Sequence, residues 1–205
     1  IVIANTNDAP TLATAQADVT ATEDTAYSVD VSGNFADVDV GDSLTYTATG
    51  MPSTMTMSTA GVLSGTPLNA DVGTSTVVVT ATDGTASITD TFDIVIANTN
   101  DAPTLATAQA DETATEDTAY SVDVSGNFAD VDVGDSLTYT ATGMPSTMTM
   151  STAGVLSGTP LNADVGTSTV VVTATDGTAS ITDTFDIVIA NTNDAPTLAT
   201  AQADE

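Results

Sequence analysis

The sequence predicts an all-β chain built of tandem Greek-key β-sandwiches, each of about seven strands. Two observations carry this. Residues 1–93 recur at 94–186 with a shift of 93, and a third copy begins at Ile187. A period of that length is too long for a solenoid unit and suits a whole small domain. Within each copy, short runs rich in Thr, Val and Ile alternate polar with apolar and are broken by Gly, Asp, Asn and Pro.

Along the first copy the elements follow in order. Tyr27, Val29 and Val31 alternate with Ser28 and Asp30, and Leu44, Tyr46 and Ala48 alternate with Thr45 and Thr47. Met51, Met55 and Met57 lie in a Thr-rich stretch and are expected to fill core space, as adaptable thioethers do. Val77, Val79 and Ala81 share one face before an Asp83-Gly84 turn, and Phe92, Ile94 and Ile96 alternate with Asp93 and Val95. Turn signals recur every 8–14 residues, and no 3.6-residue period is sustained. Such spacing is the signature of an immunoglobulin-like sandwich. The repeats place one domain at 10–98 and a second at 103–191, with a linker at 99–102. Residues 1–9 read as the end of a preceding repeat and its linker, and 192–205 as a linker and the start of the next. Aligned copies differ at one position, Val19 against Glu112.

Composition excludes most chemistry. The 205 residues include 28 Asp+Glu and no Lys, Arg, His, Cys or Trp, for a formal charge of −28. Histidine and cysteine catalysis, lysine Schiff bases and Cys/His zinc sites are therefore absent. A chain without a cationic side chain has no means of gripping phosphates, which argues against nucleic acid and against direct contact with anionic membranes. No apolar run approaches the roughly 18 residues of a membrane span. Residues 1–4, IVIA, lack the charged flank of a signal peptide. With 41% hydrophobic residues, the chain is not a disordered acidic tail.

Asp30, Asp90 and Asp93 read as solvated strand or turn positions. Other acids cluster. One group is Asn98-Thr99-Asn100-Asp101 between the repeats. Another is Asp130, Asp132 and Asp135, with the earlier copy at Asp37, Asp39 and Asp42. The rest are Thr-Glu-Asp-Thr at 22–25 and 115–118, Leu-Asn-Ala-Asp at 68–71 and 161–164, and the turn acids Asp83 and Asp176. Hard cations such as Ca2+ take six to eight oxygens from carboxylates, amides and carbonyls. The spacing from Asp37 does not fit an EF-hand, because a glycine, Gly41, stands at position 5 and Ala48 at position 12.

The order of these clusters resembles the cadherin repeat, and most closely the bacterial cadherin-like, dystroglycan-type repeats of large surface adhesins. The resemblance rests on Glu23 and Glu116, on Asp37/Asp39 and Asp130/Asp132 followed by SLTYTAT, and on Asp71 and Asp164 in a degenerate Leu-Asp-Arg-Glu. Asp83 and Asp176, with the linker Asn98, Asn100 and Asp101, complete it. It implies Ca2+ at the junctions between repeats. The central junction would use Glu23, Asp71, Asn98, Asn100, Asp101, Asp130, Asp132 and Asp176. The leading one would use Asn5, Asn7, Asp8, Asp37, Asp39 and Asp83, and the trailing one Glu116, Asp164, Asn191, Asn193 and Asp194. Asn98, Asn69 and Ala102 depart from the cadherin pattern at acid or amide positions, so fewer than three ions per junction are expected.

These features lead to an expected function: a non-enzymatic, extracellular extender of a bacterial surface adhesin, stiffened by Ca2+. Its partners would be neighbouring repeats of the same chain. Residues 94–186 hold 13 acids and no base, so unneutralised neighbours repel over about 10 Å at ~0.1 M salt. Each repeat would add about 40 Å of reach. The alternative is a filament or surface layer of identical chains joined by lateral or strand-insertion contacts. A carbohydrate-binding module is disfavoured by four Tyr and no Trp. A glycosidase would need two carboxylates set in a cleft.

Overall fold

A computed structural model of the chain describes residues 6–39 and 41–199. Two compact units divide at Asn100/Asp101. Unit 1 contains β1 (Thr11–Leu12), β2 (Val19–Thr22), β3 (Tyr27–Asp30), β4 (Phe35–Ala36) and β5 (Thr45–Thr49). It continues with β6 (Met55–Met57), β7 (Val62–Gly65), β8 (Gly73–Thr82) and β9 (Ser87–Ala97). One sheet has the order β2-β9-β8-β5 and the other β3-β7-β6, while β1 and β4 form a two-residue pair. The seven longer strands are those of an immunoglobulin-like sandwich.

Alternation becomes layering. On β8 and β9, Val77, Val79, Ala81, Phe92, Ile94 and Ile96 are all buried, and they meet Leu63, Met55 and Val31 across the sandwich. Phe35 and Tyr46 pack edge to face, with ring centroids 5.7 Å apart. Met51 and Met57 pack against the same core, as their adaptable side chains allow. At Gly50, with φ +72°, a Cβ would stand 2.1 Å from the Thr76 carbonyl oxygen. Only glycine permits that approach beside β8.

Two connections position the acids. β8 and β9 form a hairpin paired from Gly73↔Ile96 to Thr82↔Ser87. At ~3.3 Å per residue it holds its two ends about 30 Å apart. β2 runs parallel to β9, with Thr22 opposite Ala97, so the chain must leave the first sheet after β2 and enter the second at β3. Asp24 takes φ +56° in that crossing, and its N–H donates to the Pro67 carbonyl at 2.8 Å. Asp tolerates this left-handed conformation better than most residues.

Unit 2 repeats the arrangement. Its strands are β10 (Thr104–Leu105), β11 (Glu112–Thr115), β12 (Tyr120–Asp123), β13 (Phe128–Ala129), β14 (Thr138–Thr142), β15 (Met148–Met150), β16 (Val155–Gly158), β17 (Gly166–Thr175) and β18 (Ser180–Ala190). Sheet orders are β11-β18-β17-β14 and β12-β16-β15. At the one differing position, Val19 packs on the core of unit 1. Glu112 instead accepts a hydrogen bond from Gln109 Nε2 at 2.7 Å. Burial, reinforced by the Glu112 charge, pushes the Tyr120 phenol up to about 12.

One expectation is corrected. Asp90 is not a solvated surface acid. It lies on the inward face of β9, in phase with Phe92, and is buried. Its Oδ2 accepts the Gln16 N–H at 2.7 Å, pinning the segment ahead of β2, and Asp183 does the same for Gln109. Asp30 remains exposed, and Asp93 is half-buried and accepts from Thr76 Oγ1 at 2.7 Å.

Candidate metal centres at the ends of each unit

The hairpin end of unit 1 gathers three segments. The turn acid Asp83 accepts the Thr85 and Ala86 N–H groups on Oδ1 at 2.6 and 2.7 Å. These bonds, led by Ala86, hold its carboxyl below the usual carboxylate range. Oδ2 is left to face Asn7, whose Nδ2 donates to it at 3.1 Å. The Asp8 N–H donates to Asp39 Oδ2 at 2.7 Å, and the Asp39 N–H donates to Asp37 Oδ1 at 2.9 Å. Carboxylate oxygens of Asp37, Asp42 and Asp83 lie within 4.8 Å of one another. Two oxygens on one Ca2+ at 2.3–2.6 Å can stand no farther apart than about 5 Å. Asp37 Oδ2 is buried without a hydrogen-bond donor.

Unit 2 repeats this end. The Asp101 N–H donates to Asp132 Oδ2 at 2.8 Å, and the Asp132 N–H donates to Asp130 Oδ1 at 3.0 Å. Oxygens of Asp130, Asp132 and Asp135 fall within 4.8 Å of one another. Asp130 Oδ2 is again buried without a donor. Asp176 Oδ1 accepts the Thr178 and Ala179 N–H groups, both at 2.6 Å.

The other end of each unit is built on a glutamate. Glu23 follows β2, is fully buried, and accepts the Thr99 N–H on Oε1 at 2.5 Å. Glu116 is 1% exposed. Its Oε1 accepts the Thr192 N–H, and its Oε2 has no donor. Nearby, Asn162 Nδ2 donates to Asp194 Oδ2. Asn191 and Asn193 turn their amides onto the Thr192 and Asp194 carbonyls at 3.0 and 3.2 Å. Asn98 and Asn100 are exposed in the segment after β9. Asn5 lies outside the described residues.

Asp71 and Asp164 are engaged differently. Asp71 Oδ1 accepts Ser53 N and Oγ at 2.6 and 2.8 Å, and Oδ2 accepts Thr54 Oγ1 and Leu68 N at 2.6 and 3.2 Å. Burial pushes this carboxyl up, but the Thr54 and Ser53 hydroxyls and two amides outweigh it and hold it below the usual range. In unit 2 the Leu161 N–H, then Thr147 and Ser146, hold Asp164 down to about 2. Four donors from its own domain make this carboxylate a brace for the 3₁₀ turn Asn162–Asp164. A folded value below the ~4 of an unfolded Asp means the stabilisation is complete above about pH 4. It is lost as pH falls through about 2. Substituting Asp71→Asn with Asp164→Asn should flatten the acid limb of a urea-midpoint profile in that window.

Asp42 and Asp135 had no place in the ligand sets drawn from the sequence. The signal was present, since each stands last in Asp-Val-Asp-Val-Gly-Asp, but an alternating count passes over an acid set three residues after the second. The donors at both ends are all oxygen, the chemistry of a hard cation, and the orphaned buried oxygens fit one.

The family model described as "Putative Ig domain" matches residues 9–97 and 102–190. The chain belongs to that family. Its two Ig domains share their fold with cadherin domains. Cadherin domains 1–5 of protocadherin gamma B2 align at 21% identity over 92% of this chain and 41% of theirs, with a TM-score of 0.59. Drosophila N-cadherin domains 1–4 align at 17% identity over 90% and 50%, with a TM-score of 0.53. An endo-fucoidan hydrolase of glycoside hydrolase family 107 aligns at 26% identity over 93% of this chain and 30% of that one, but its TM-score of 0.42 carries no argument. The Ig domains thus span half or less of the length of each of these proteins. No curated protein matches the chain significantly. Among the described residues, no helix is long and apolar enough to cross a membrane.

Proposed function

We propose that this chain is a non-enzymatic extender segment of a bacterial surface adhesin, working outside the cell and made rigid by Ca2+ at the junctions between its Ig domains. The observation that carries this reading is buried carboxylate without compensation. Asp37 Oδ2, Asp130 Oδ2 and Glu116 Oε2 are withdrawn from water and given no donor, in a chain that has no cationic side chain. Such a charge costs several kcal/mol unless a cation joins it. Asp37, Asp39 and Asp83, with Asn7, would hold the ion at the hairpin end of unit 1, and Asp130, Asp132 and Asp176 at that of unit 2. Glu23 and Glu116, with the Asn and Asp residues that follow β9 and β18, would hold it at the opposite ends. Asp71 and Asp164, saturated by their own domains, support the scaffold. When bound, the ion neutralises local charge, and it fixes the angle between neighbouring repeats.

A second reading has its own support. The outward face of the β2-β9-β8-β5 sheet presents Thr45, Thr47, Thr49, Thr74, Thr89 and Thr91, an almost uncharged surface on a polyanion. Lateral contact between identical chains would meet the least repulsion there. Small-angle scattering across a Ca2+ titration separates the two. The extender predicts a larger maximum dimension at constant mass, reversed by a chelator. A rise in mass instead favours the filament, and no response removes Ca2+ from the account.

A further inference from the structure

We infer that Asp42 and Asp135 are themselves cation ligands, so that each Asp-Val-Asp-Val-Gly-Asp loop is a divalent-cation loop carried within a single Ig domain. This rests on the Ca2+ reading above and deepens it. The two carboxylate triads are Asp37, Asp42 and Asp83 in unit 1, and Asp130, Asp132 and Asp135 in unit 2. Once aligned by the repeat, their shared members are the first and last acids of the loop. The middle acid appears in one triad and the turn acid in the other. The last acid is the one that the cadherin-like motif does not supply.

An independent observation points to a ligand at the same place. In both units the first loop acid commits Oδ1 to the N–H two residues on. Its Oδ2 is buried and without a donor. A carboxylate oxygen in that state, on a chain with no cationic side chain, calls for an ion rather than a side chain. Gly41 and Gly134, at φ +107° and +103°, give the backbone just before the last acid a conformation that favours glycine. Asp42 and Asp135 are both exposed, so they can swing onto an incoming ion without unpacking anything.

Charge gives the reason for a third acid. Asn69, Asn98 and Asn100 are neutral, which limits the negative charge available from the linker and the preceding domain. Affinity at oxygen sites follows the number of charged ligands. A third carboxylate inside the loop restores that charge within one domain. Loading at this end would then not depend on the preceding repeat.

Calorimetric Ca2+ titration of the whole chain tests this with three proteins: the wild type, Asp42→Asn with Asp135→Asn, and Asp93→Asn with Asp186→Asn. The last pair removes equal charge from strand positions that hydrogen-bond Thr76 and Thr169. Far-UV circular dichroism in chelator checks that each is folded. The loop pair should weaken Ca2+ binding at two sites about tenfold or more, with the strand pair within about twofold of wild type. Loop variants that match wild type overturn the inference and leave the Ca2+ reading standing. Equal weakening by both pairs overturns it too, because bulk charge then suffices. A wild type that binds no Ca2+ removes both.

Discussion

Saturating Ca2+ should raise the melting temperature of this chain by roughly 10–20 °C. An ion that binds only the folded state contributes about 2.7 kcal/mol per site at a hundredfold excess over its dissociation constant. For a domain of about 100 residues, each kcal/mol moves the midpoint by about 4–8 °C. Each unit has its own triad of carboxylates within 4.8 Å of one another, so both should respond. Calorimetric scans in chelator, in NaCl of matched ionic strength and in Ca2+ distinguish binding from screening. Screening acts on all 28 acids alike and gives the same midpoint in either salt. A midpoint that follows ionic strength alone would mean that the triads are ordinary surface charge.

Glu116→Gln should change sign with Ca2+. In chelator the variant should be more stable than the wild type by about 1–3 kcal/mol, because it removes a buried charge whose second oxygen has no donor. The remaining amide oxygen still accepts the Thr192 N–H, as Glu116 Oε1 does. In saturating Ca2+ the order should reverse, since the variant lacks the charge that the ion compensates. Urea midpoints with and without Ca2+ provide the measurement. A variant destabilised in both conditions would show that this glutamate serves packing at the end of β11 and no ion.

The acids were legible in unequal degree. Asp83 and Asp176 announce themselves, because Asp-Gly between two alternating runs is a hairpin turn with a mechanism. Asp90 did not. Its strand alternates as Asp90, Phe92, Ile94 and Ile96, and that phase places the acid inward with the apolar residues. Chemical type suggested surface, whereas the period gave the right face. Asp71 matched a ligand motif by order, but order does not tell whether a carboxylate is open. Ser53 and Thr54, 18 and 17 residues away, close on it. No local pattern encodes that contact.

The repeat, the two Ig domains, the strand faces and the all-oxygen donor set can all be read along the chain. These follow from period, composition and alternation, which are local properties. Which acids are buried and which oxygens lack a donor is set by contacts between distant segments. The parallel pairing of β2 with β9 brings Glu23 beside Thr99, 76 residues on. The length of the β8–β9 hairpin keeps the Asp83 end away from the Glu23 end. Burial and donor supply depend on what the rest of the chain brings to a residue, so they become readable only once the sheets are closed.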